Sequence, residues 1–191
     1  MELEDKKKEK EKKLLDTAFE LFTKNDIKST SIQDIVDKAG VAKGTFYLYF
    51  KDKYDLRDTL ITTKSKALFN DALKALEKTD IKNFDDQIIF IIDHVIDKLT
   101  KNKLLLKFIA KDLSWGVYNK SVLKLNDNNL LTMFLNSAKE NNVNLKNPEV
   151  TLFMIIELVS STCFNSILYQ KPVTIDEYKP YLYETIRNML K

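Results

Sequence analysis

The sequence predicts an all-α fold of about nine helices, and three observations indicate this class. Apolar residues recur at spacings of three and four along most of the chain, as in helices with one buried face. Only three glycines and three prolines interrupt the 191 residues, so a many-turned β fold is disfavoured. The stretch QIIFII taken alone also fits a buried strand, but the apolar spacing continues through Leu99 and favours a helix.

The first two predicted helices are separated by a short polar turn. Apolar spacing predicts a first helix over about residues 8–24. Thr30 fits the N-cap of a second helix that starts at residue 31, and Gln33 then stands where it completes a capping box. Gly40 follows the second helix directly and suits the left-handed conformation in which many helices end.

A tight turn leads from Gly40 into the third and fourth helices. The third is predicted from Lys43 to about Phe50. The fourth follows Asp52, which can cap it, and continues toward residue 78. A long helix followed by two short helices joined by a glycine turn is the helix-turn-helix pattern.

Five longer helices are predicted in the rest of the chain, over about residues 84–99, 104–113, 121–140, 148–169 and 174–190. Asn147, followed by Pro148 and an acid, marks the start of the eighth helix. Thr174 and Glu177 form a capping box for the ninth, and Pro180 is expected either to kink that helix or to mark its true first turn.

The net charge of +3 indicates no particular partner, but basic residues concentrate at two places. Lys6 to Lys13 contains six lysines and two glutamates, and Lys38 to Arg57 contains five cations. Such a run is either a solvated helix face or a phosphate-binding surface, and both alternatives stay open. The single Cys163 excludes an intramolecular disulfide and is expected to be a buried thiol. With no signal peptide and no apolar run of about 18 residues recognised, we expect a cytoplasmic protein without membrane contact.

The stretch TSIQDIVDKAGVAKGTFYLYFKDKYDL, residues 30–56, resembles the N-terminal DNA-binding domain of the TetR family of transcriptional regulators. The preceding AFELF, residues 18–22, strengthens the match. The resemblance implies a DNA-binding domain over residues 9–69 and an effector-binding and dimerisation domain over residues 70–191. It also implies a dimer whose third helix enters the major groove of DNA.

The resemblance assigns DNA contacts to eight residues, Thr30, Gln33, Lys43, Gly44, Thr45, Tyr47, Tyr49 and Lys53. Lys43 and Gly44 would approach base edges, although Lys43 suits a phosphate equally well. Tyr47 would contact a phosphate and a thymine methyl group. Gln33 is either a base reader or a member of the capping box. Ala42 departs from the family pattern, which has Ser or Thr there, and so removes a side-chain cap from the third helix.

The remaining assigned contacts are to the DNA backbone, which fixes register without reading sequence. Thr45 and Tyr49 would grip phosphates, while Thr30 and Lys53 would clamp the flanking backbone. Helical spacing places Phe46 and Phe50 on one face, so we expect these two rings to fill the core of the domain.

The second domain has no recognisable catalytic nucleophile with a base, no metal-ligand cluster and no cofactor motif, so we expect neither an enzyme nor a bound metal or cofactor. Candidate ligand-binding residues are His94, Phe108, Trp115, Tyr118, Phe134, Glu157 and Phe164. His94 is either a core histidine with one hydrogen bond or a polar anchor in an apolar pocket. Glu157 lies either at a dimer seam or opposite a cationic ligand.

The resemblance implies a ligand-responsive repressor that binds a pseudo-palindromic operator as a homodimer. Dimerisation is expected through the helices over about residues 148–169 and 174–190, and a small-molecule effector is expected to release the DNA. The alternative is a helical ligand-binding or interaction protein that has lost operator binding.

Overall fold

The computed structural model describes residues 2–110 and 130–191, and in these ranges it contains helices and no strand. The helices are α1 (Glu2–Asn25), α2 (Ile32–Ala39), α3 (Lys43–Tyr47), α4 (Lys53–Leu76), α5 (Phe84–Lys101), α6 (Lys103–Ile109), α7 (Leu130–Glu140), α8 (Pro148–Tyr169) and α9 (Ile175–Met189). The all-α prediction is therefore confirmed. The predicted end of the sixth helix and the first half of the seventh fall outside the described residues.

The chain divides into two compact units, Met1–Ile61 and Thr62–Lys191. The resemblance placed this boundary after residue 69. Both positions lie inside α4, which is one continuous helix. No linker composition marks the division, and for this reason the sequence does not locate it.

Unit 1 is a small helical domain whose core is built by α1 to α4. Its buried apolar residues are Leu14, Ala18, Leu21, Phe22, Ile35, Val36, Phe46, Phe50, Leu56, Leu60 and Ile61. Phe46 and Phe50 are both buried and their ring centroids lie 5.7 Å apart, so the prediction that they fill the core is confirmed. An ion pair between Lys38 and Glu20 ties α2 to α1 at the surface.

The cap of α2 differs from the predicted one by one residue. Ser31, not Thr30, is the N-cap, and Asp34, not Gln33, completes the capping box. The N–H of Ser31 donates to the Asp34 carboxylate at 2.8 Å, and the N–H of Asp34 donates to the Ser31 hydroxyl at 3.1 Å. An ionised carboxylate accepts more strongly than the Gln33 amide and also suits the positive end of the helix, which favours this register.

Helix α1 begins several residues before the predicted start, because Lys and Glu are good helix formers even where no apolar spacing exists. Glu9 and Lys13 add an (i, i+4) ion pair of 2.9 Å on this extension. At the other end of the chain, the caps predicted for α8 and α9 are confirmed at Asn147 and at Thr174. Pro180 lies inside α9, so it does not mark the first turn of that helix.

Unit 2 is organised around α5, which is a helix and not a strand. Apolar residues of α5 are buried along its whole length, from Phe84 through Ile92 to Leu99. Acids on α5 also bind cations on α9: the Lys179 ammonium lies 2.6 Å from both Asp93 and Asp97. Burial alone would lower the pKa of Lys179, but its hydrogen bonds to the two carboxylates outweigh burial and raise that pKa.

Helix α8 is long and apolar enough, by length and composition alone, to cross a membrane, although no such run was expected from the sequence. It is a core helix of unit 2 and not a span, because Leu152, Ile155 and Val159 pack into the core. The predicted burial of Cys163 on the same helix is confirmed, and burial raises the pKa of its thiol to about 12.

Candidate nucleic-acid interface

The turn between α2 and α3 is fixed by Gly40. Its backbone has φ 66° and ψ 38°, a left-handed conformation that residues with a side chain rarely adopt. The N–H of Val41 donates to the Val36 carbonyl at 3.0 Å and closes the end of α2. Ala42 is the N-cap residue of α3. As predicted, it makes no side-chain capping bond, because alanine has no hydrogen-bonding side chain. The geometry of the turn therefore comes from backbone bonds and not from a capping side chain.

Helix α3 separates a buried face from an exposed one. Phe46 is 0% exposed, whereas its neighbours Tyr47 and Leu48 are 54% and 80% exposed. Lys43 and Gly44 are also exposed, and they lie one turn before Tyr47 and Leu48. We call these four residues the outer face of α3. This face exposes an ammonium group, a residue without a side chain, a phenol and an apolar side chain.

Leu48 was not predicted from the sequence as a contact residue. It is the most exposed large apolar side chain among the described residues, and it is the C-cap residue directly after α3. The domain is otherwise well packed, yet it leaves this apolar side chain exposed to water. Such a side chain is suited to contact a methyl group of a binding partner. Its (i, i+4) spacing from Gly44 was the signal that could have identified it.

Tyr49 and Thr45 lie beside the outer face and are half-buried. The Tyr49 hydroxyl donates to the backbone carbonyl of Lys7 in α1, at 3.1 Å. This hydroxyl therefore has an acceptor within the chain, although it was assigned to a phosphate. The phosphate contacts of both residues stay predictions.

Thr30 and Lys53 hold the loop between α1 and α2. Thr30 is only 2% exposed, and its hydroxyl donates to the Asp26 carbonyl at 2.8 Å. The Lys53 ammonium donates to the carbonyls of Lys28 and Thr30 at 3.0 and 2.9 Å. Both side chains thus satisfy loop backbone, and their contacts with a DNA backbone stay predictions.

Gln33 is exposed on α2, and it does not take part in the capping box that was its alternative role. Its amide donates to the Asp37 carboxylate at 2.8 Å, one turn further along the helix. A surface pair of this kind is weak, and a partner can replace it at small cost. The role of Gln33 as a base reader stays a prediction.

Replacing Gly44 by alanine tests whether the start of α3 approaches DNA. A Cβ added at Gly44 meets nothing within 4 Å, so we expect thermal stability to stay level or rise by a few tenths of a kcal/mol. If backbone and DNA meet there, the added methyl should weaken DNA binding by about tenfold, or about 1.4 kcal/mol. Circular dichroism measures the first effect and fluorescence anisotropy with labelled duplex the second.

The matched control is Gly40→Ala, which also adds one methyl with nothing within 4 Å. Because Gly40 has φ 66°, this change should cost roughly 1–2 kcal/mol of stability. Full DNA affinity in a stable Gly44→Ala protein would show that the start of α3 does not meet DNA.

His94 in unit 2 binds Asp71. Of the two alternatives for His94, this contact favours a histidine with a structural hydrogen bond over a polar anchor in a ligand pocket. Its Nε2 lies 2.7 Å from the Asp71 carboxylate, and the Lys98 ammonium lies 2.9 Å from the same oxygen. The hydrogen bonds from His94 and Lys98 hold the pKa of Asp71 at about 2, so this carboxylate is ionised at neutral pH. The cluster ties α5 to α4.

The other candidate ligand residues are spread over the unit. Phe134 is fully buried with its ring 5.1 Å from that of Phe84, and Phe108 and Phe164 pack against the same core. Glu157 is half-buried on α8. Trp115 and Tyr118 lie outside the described residues. The ligand contacts of all seven candidates stay predictions.

A groove of about 940 Å³ runs between α4, α5 and α7, and none of the described candidates lines it. Its apolar wall includes Leu73 and Met133, and its polar wall includes Lys66, Asn70 and Asn136. The volume of the groove and its mixture of apolar and polar residues are typical of a small-molecule binding site.

Gln87 fixes the shape of one end of this groove. The Ser137 hydroxyl donates to the Gln87 amide oxygen at 2.5 Å, and the Gln87 amide nitrogen donates to the Ile81 carbonyl at 3.0 Å. These bonds join α7, α5 and the loop before α5. That end of the groove is therefore formed without a ligand.

No group of three or more His, Cys, Asp or Glu residues that could hold a metal ion occurs in residues 2–110 and 130–191.

Comparison with protein families finds one matching model, described as bacterial regulatory proteins of the tetR family, over residues 14–60. This range contains the second half of α1, the whole of α2 and α3, and the start of α4. A curated relative, the HTH-type transcriptional regulator YhgD of Bacillus subtilis, is 24% identical over 189 residues, which are 96% of this chain and 93% of the relative.

Two solved structures have similar folds along nearly the whole chain. FadR from Bacillus subtilis in complex with stearoyl-CoA has a TM-score of 0.65 and 17% identity, and the match covers 94% of this chain and 98% of that one. A tetR family regulator from Shewanella has a TM-score of 0.69 and 17% identity, with coverage of 94% and 96%. At these identities the similarity shows a shared fold.

Proposed function

Since this chain is a DNA-binding transcriptional regulator of the TetR family, and not an enzyme, we propose that it is a cytoplasmic, ligand-responsive repressor that binds its operator as a homodimer. The observation that carries this proposal is the division of α3 into a buried Phe46 and an exposed outer face. A five-residue helix anchored by one ring leaves its other side available to a groove in DNA.

The outer face suits the major groove chemically. Lys43 donates to guanine or to phosphate, and the Tyr47 hydroxyl donates to phosphate. Leu48 offers an apolar contact for a thymine methyl group. Because Gly44 has no side chain, the backbone at the start of α3 can approach the DNA closely. The face thus combines phosphate-binding with base-reading groups.

The homodimer is proposed through α8 and α9. Val150, Phe153, Met154, Glu157 and Ser161 recur at helical spacing on α8, and we call them the outer stripe of α8. The first three are large apolar residues that are exposed in the single chain. A second copy of this stripe would bury them, and Glu157 would then lie at the dimer seam.

Met154→Glu tests this interface. Because Met154 is exposed, the chain should keep its helix content, while the new charges would face each other across the seam and separate the dimer. Analytical ultracentrifugation should detect monomer at concentrations where the unchanged protein is dimeric. Leu104→Glu, at an exposed apolar residue of α6, is the matched control. A Met154→Glu protein that stays dimeric would place the interface elsewhere.

The groove between α4, α5 and α7 is the proposed effector site. An amphipathic molecule would place its apolar part on Leu73 and Met133 and its polar part against Lys66 and Asn136. Because α4 also belongs to the DNA-binding unit, a ligand that favours one position of α4 would shift the population of DNA-competent dimers. Native mass spectrometry of the purified protein would identify a co-purified molecule, and stearoyl-CoA is a reasonable first probe.

Selection from a pool of random duplexes tests operator binding. The proposal predicts enrichment of pseudo-palindromes with half-sites separated by a multiple of one helical turn, and a steep loss of affinity with salt. Adding a small molecule that binds the effector site should release the protein from the DNA. Equal affinity for all sequences would instead support the alternative of a protein that has lost operator binding, which the uncapped start of α3 favours.

A further inference from the structure

We propose that the lysine-rich part of α1 is a second DNA contact, which binds phosphates that α3 does not reach. This basic segment consists of residues 6–13 and contains six lysines and two glutamates. The inference rests on the operator binding proposed above, and it concerns a surface with no role in the helix-turn-helix itself.

The basic segment extends α1 beyond the core of its domain. Between residue 5 and the first buried side chain, Leu14, nine residues or roughly 14 Å of helix precede the core. Between residues 5 and 13 no side chain is buried. This part of the helix therefore gains no stability from the core, and its exposed surface is available to a partner.

Tyr49 holds the basic segment next to α3. Its hydroxyl donates to the Lys7 carbonyl across 42 residues of sequence, and its ring lies 6.2 Å from that of the buried Phe50. Tyr49 follows the outer face of α3 directly. DNA bound to Tyr47 and Leu48 would thus lie near the segment, and Tyr49 acts as its positioning residue.

The charges of the segment match a phosphate backbone. Lys7, Lys8, Lys10 and Lys12 are exposed, and Lys8 and Lys12 are one helical turn apart. Glu9, one of the two acids, is paired with Lys13 at 2.9 Å, and this bond lowers the pKa of Glu9. A flexible ammonium binds phosphate as a point charge and releases counterions without reading sequence. These four groups are spread over roughly half of the helix circumference, and they can bind DNA of any sequence beside the operator.

The experiment replaces Lys7, Lys8, Lys10 and Lys12 together by glutamine, which has a similar helix propensity. The probe is the duplex selected from the random pool, and affinity is measured from 50 to 300 mM salt. The slope of log affinity against log salt should fall by about one for each lysine in contact, with a roughly fivefold loss of affinity per contact at 0.15 M salt. Replacing the exposed Lys101, Lys103, Lys107 and Lys146 of unit 2 changes the net charge equally and is the matched control.

Tyr49→Phe separates positioning from direct contact. In the unchanged protein, loss of the hydroxyl should weaken DNA binding severalfold, because the segment is no longer held. In the four-glutamine protein it should have no further effect, since the lysines are already absent. Additive effects would overturn the positioning role of Tyr49.

Equal affinity and salt slope in the four-glutamine protein and its control would overturn the proposed contact, while binding of the selected duplex by the unchanged protein would leave the proposed function intact. If the unchanged protein selects no duplex, the proposed function fails, and this inference fails with it.

Discussion

Replacing Phe46 by alanine is expected to destabilise unit 1 by about 3–5 kcal/mol, because the ring is completely buried and its removal leaves a cavity in the core of the domain. The loss is comparable to the whole stability of many small domains. We therefore expect unit 1 to be partly or wholly unfolded at room temperature. Thermal and urea unfolding followed by circular dichroism would measure the change.

Phe46→Leu is the graded control for this prediction. Leucine keeps most of the apolar volume, so the cost should fall well below that of alanine. A Phe46→Ala protein with unchanged unfolding would mean that the ring does not anchor α3, and the assignment of the two faces would then be wrong.

Replacing the adjacent Tyr47 by alanine is expected to have the opposite effects. Stability should fall by only about 0.5–1.5 kcal/mol, because Tyr47 is 54% exposed and its main ring contact is an edge contact with Phe46, with the centroids 5.5 Å apart. DNA affinity should fall about 10- to 100-fold for each half-site, because a hydrogen bond to a charged phosphate contributes about 1.5–3 kcal/mol. Fluorescence anisotropy with the selected duplex would measure this loss.

Two further variants show what a loss of DNA affinity in Tyr47→Ala would mean. Tyr47→Phe removes only the hydroxyl, so it separates the phosphate bond from contacts made by the ring. Leu104→Ala truncates an exposed apolar residue on α6 and should bind DNA normally. Unchanged affinity in Tyr47→Ala would exclude this side chain from the interface.

The division between Phe46 and Tyr47 could be predicted from the sequence, because helical spacing alone places them on different faces. The helix-turn-helix was also predictable, since the glycine turn and the caps are local signals. The N-cap of α2 was misplaced by one residue, because Thr30 and Ser31 offer the same hydroxyl; the Asp34 carboxylate and the tertiary burial of Thr30 together favour Ser31.

Features that depend on contacts between distant helices could not be predicted. The bond from Tyr49 to Lys7 joins residues whose proximity no local pattern encodes. The same applies to the binding of Lys179 by Asp93 and Asp97. The groove in unit 2 takes its walls from three helices, and those aromatic residues chosen from the sequence that lie in the described ranges do not line it. Aromatic character alone did not distinguish core positions from groove positions.

Photo-crosslinking tests the central claim most directly, namely that the outer face of α3 contacts DNA. The selected duplex would carry 5-iodouracil at successive thymine positions, and crosslinked peptides would be identified by mass spectrometry. The account predicts that crosslinks within the half-sites fall on the peptide containing Tyr47 and Leu48 and disappear in Tyr47→Ala. Half-site crosslinks confined to peptides of unit 2 would contradict it.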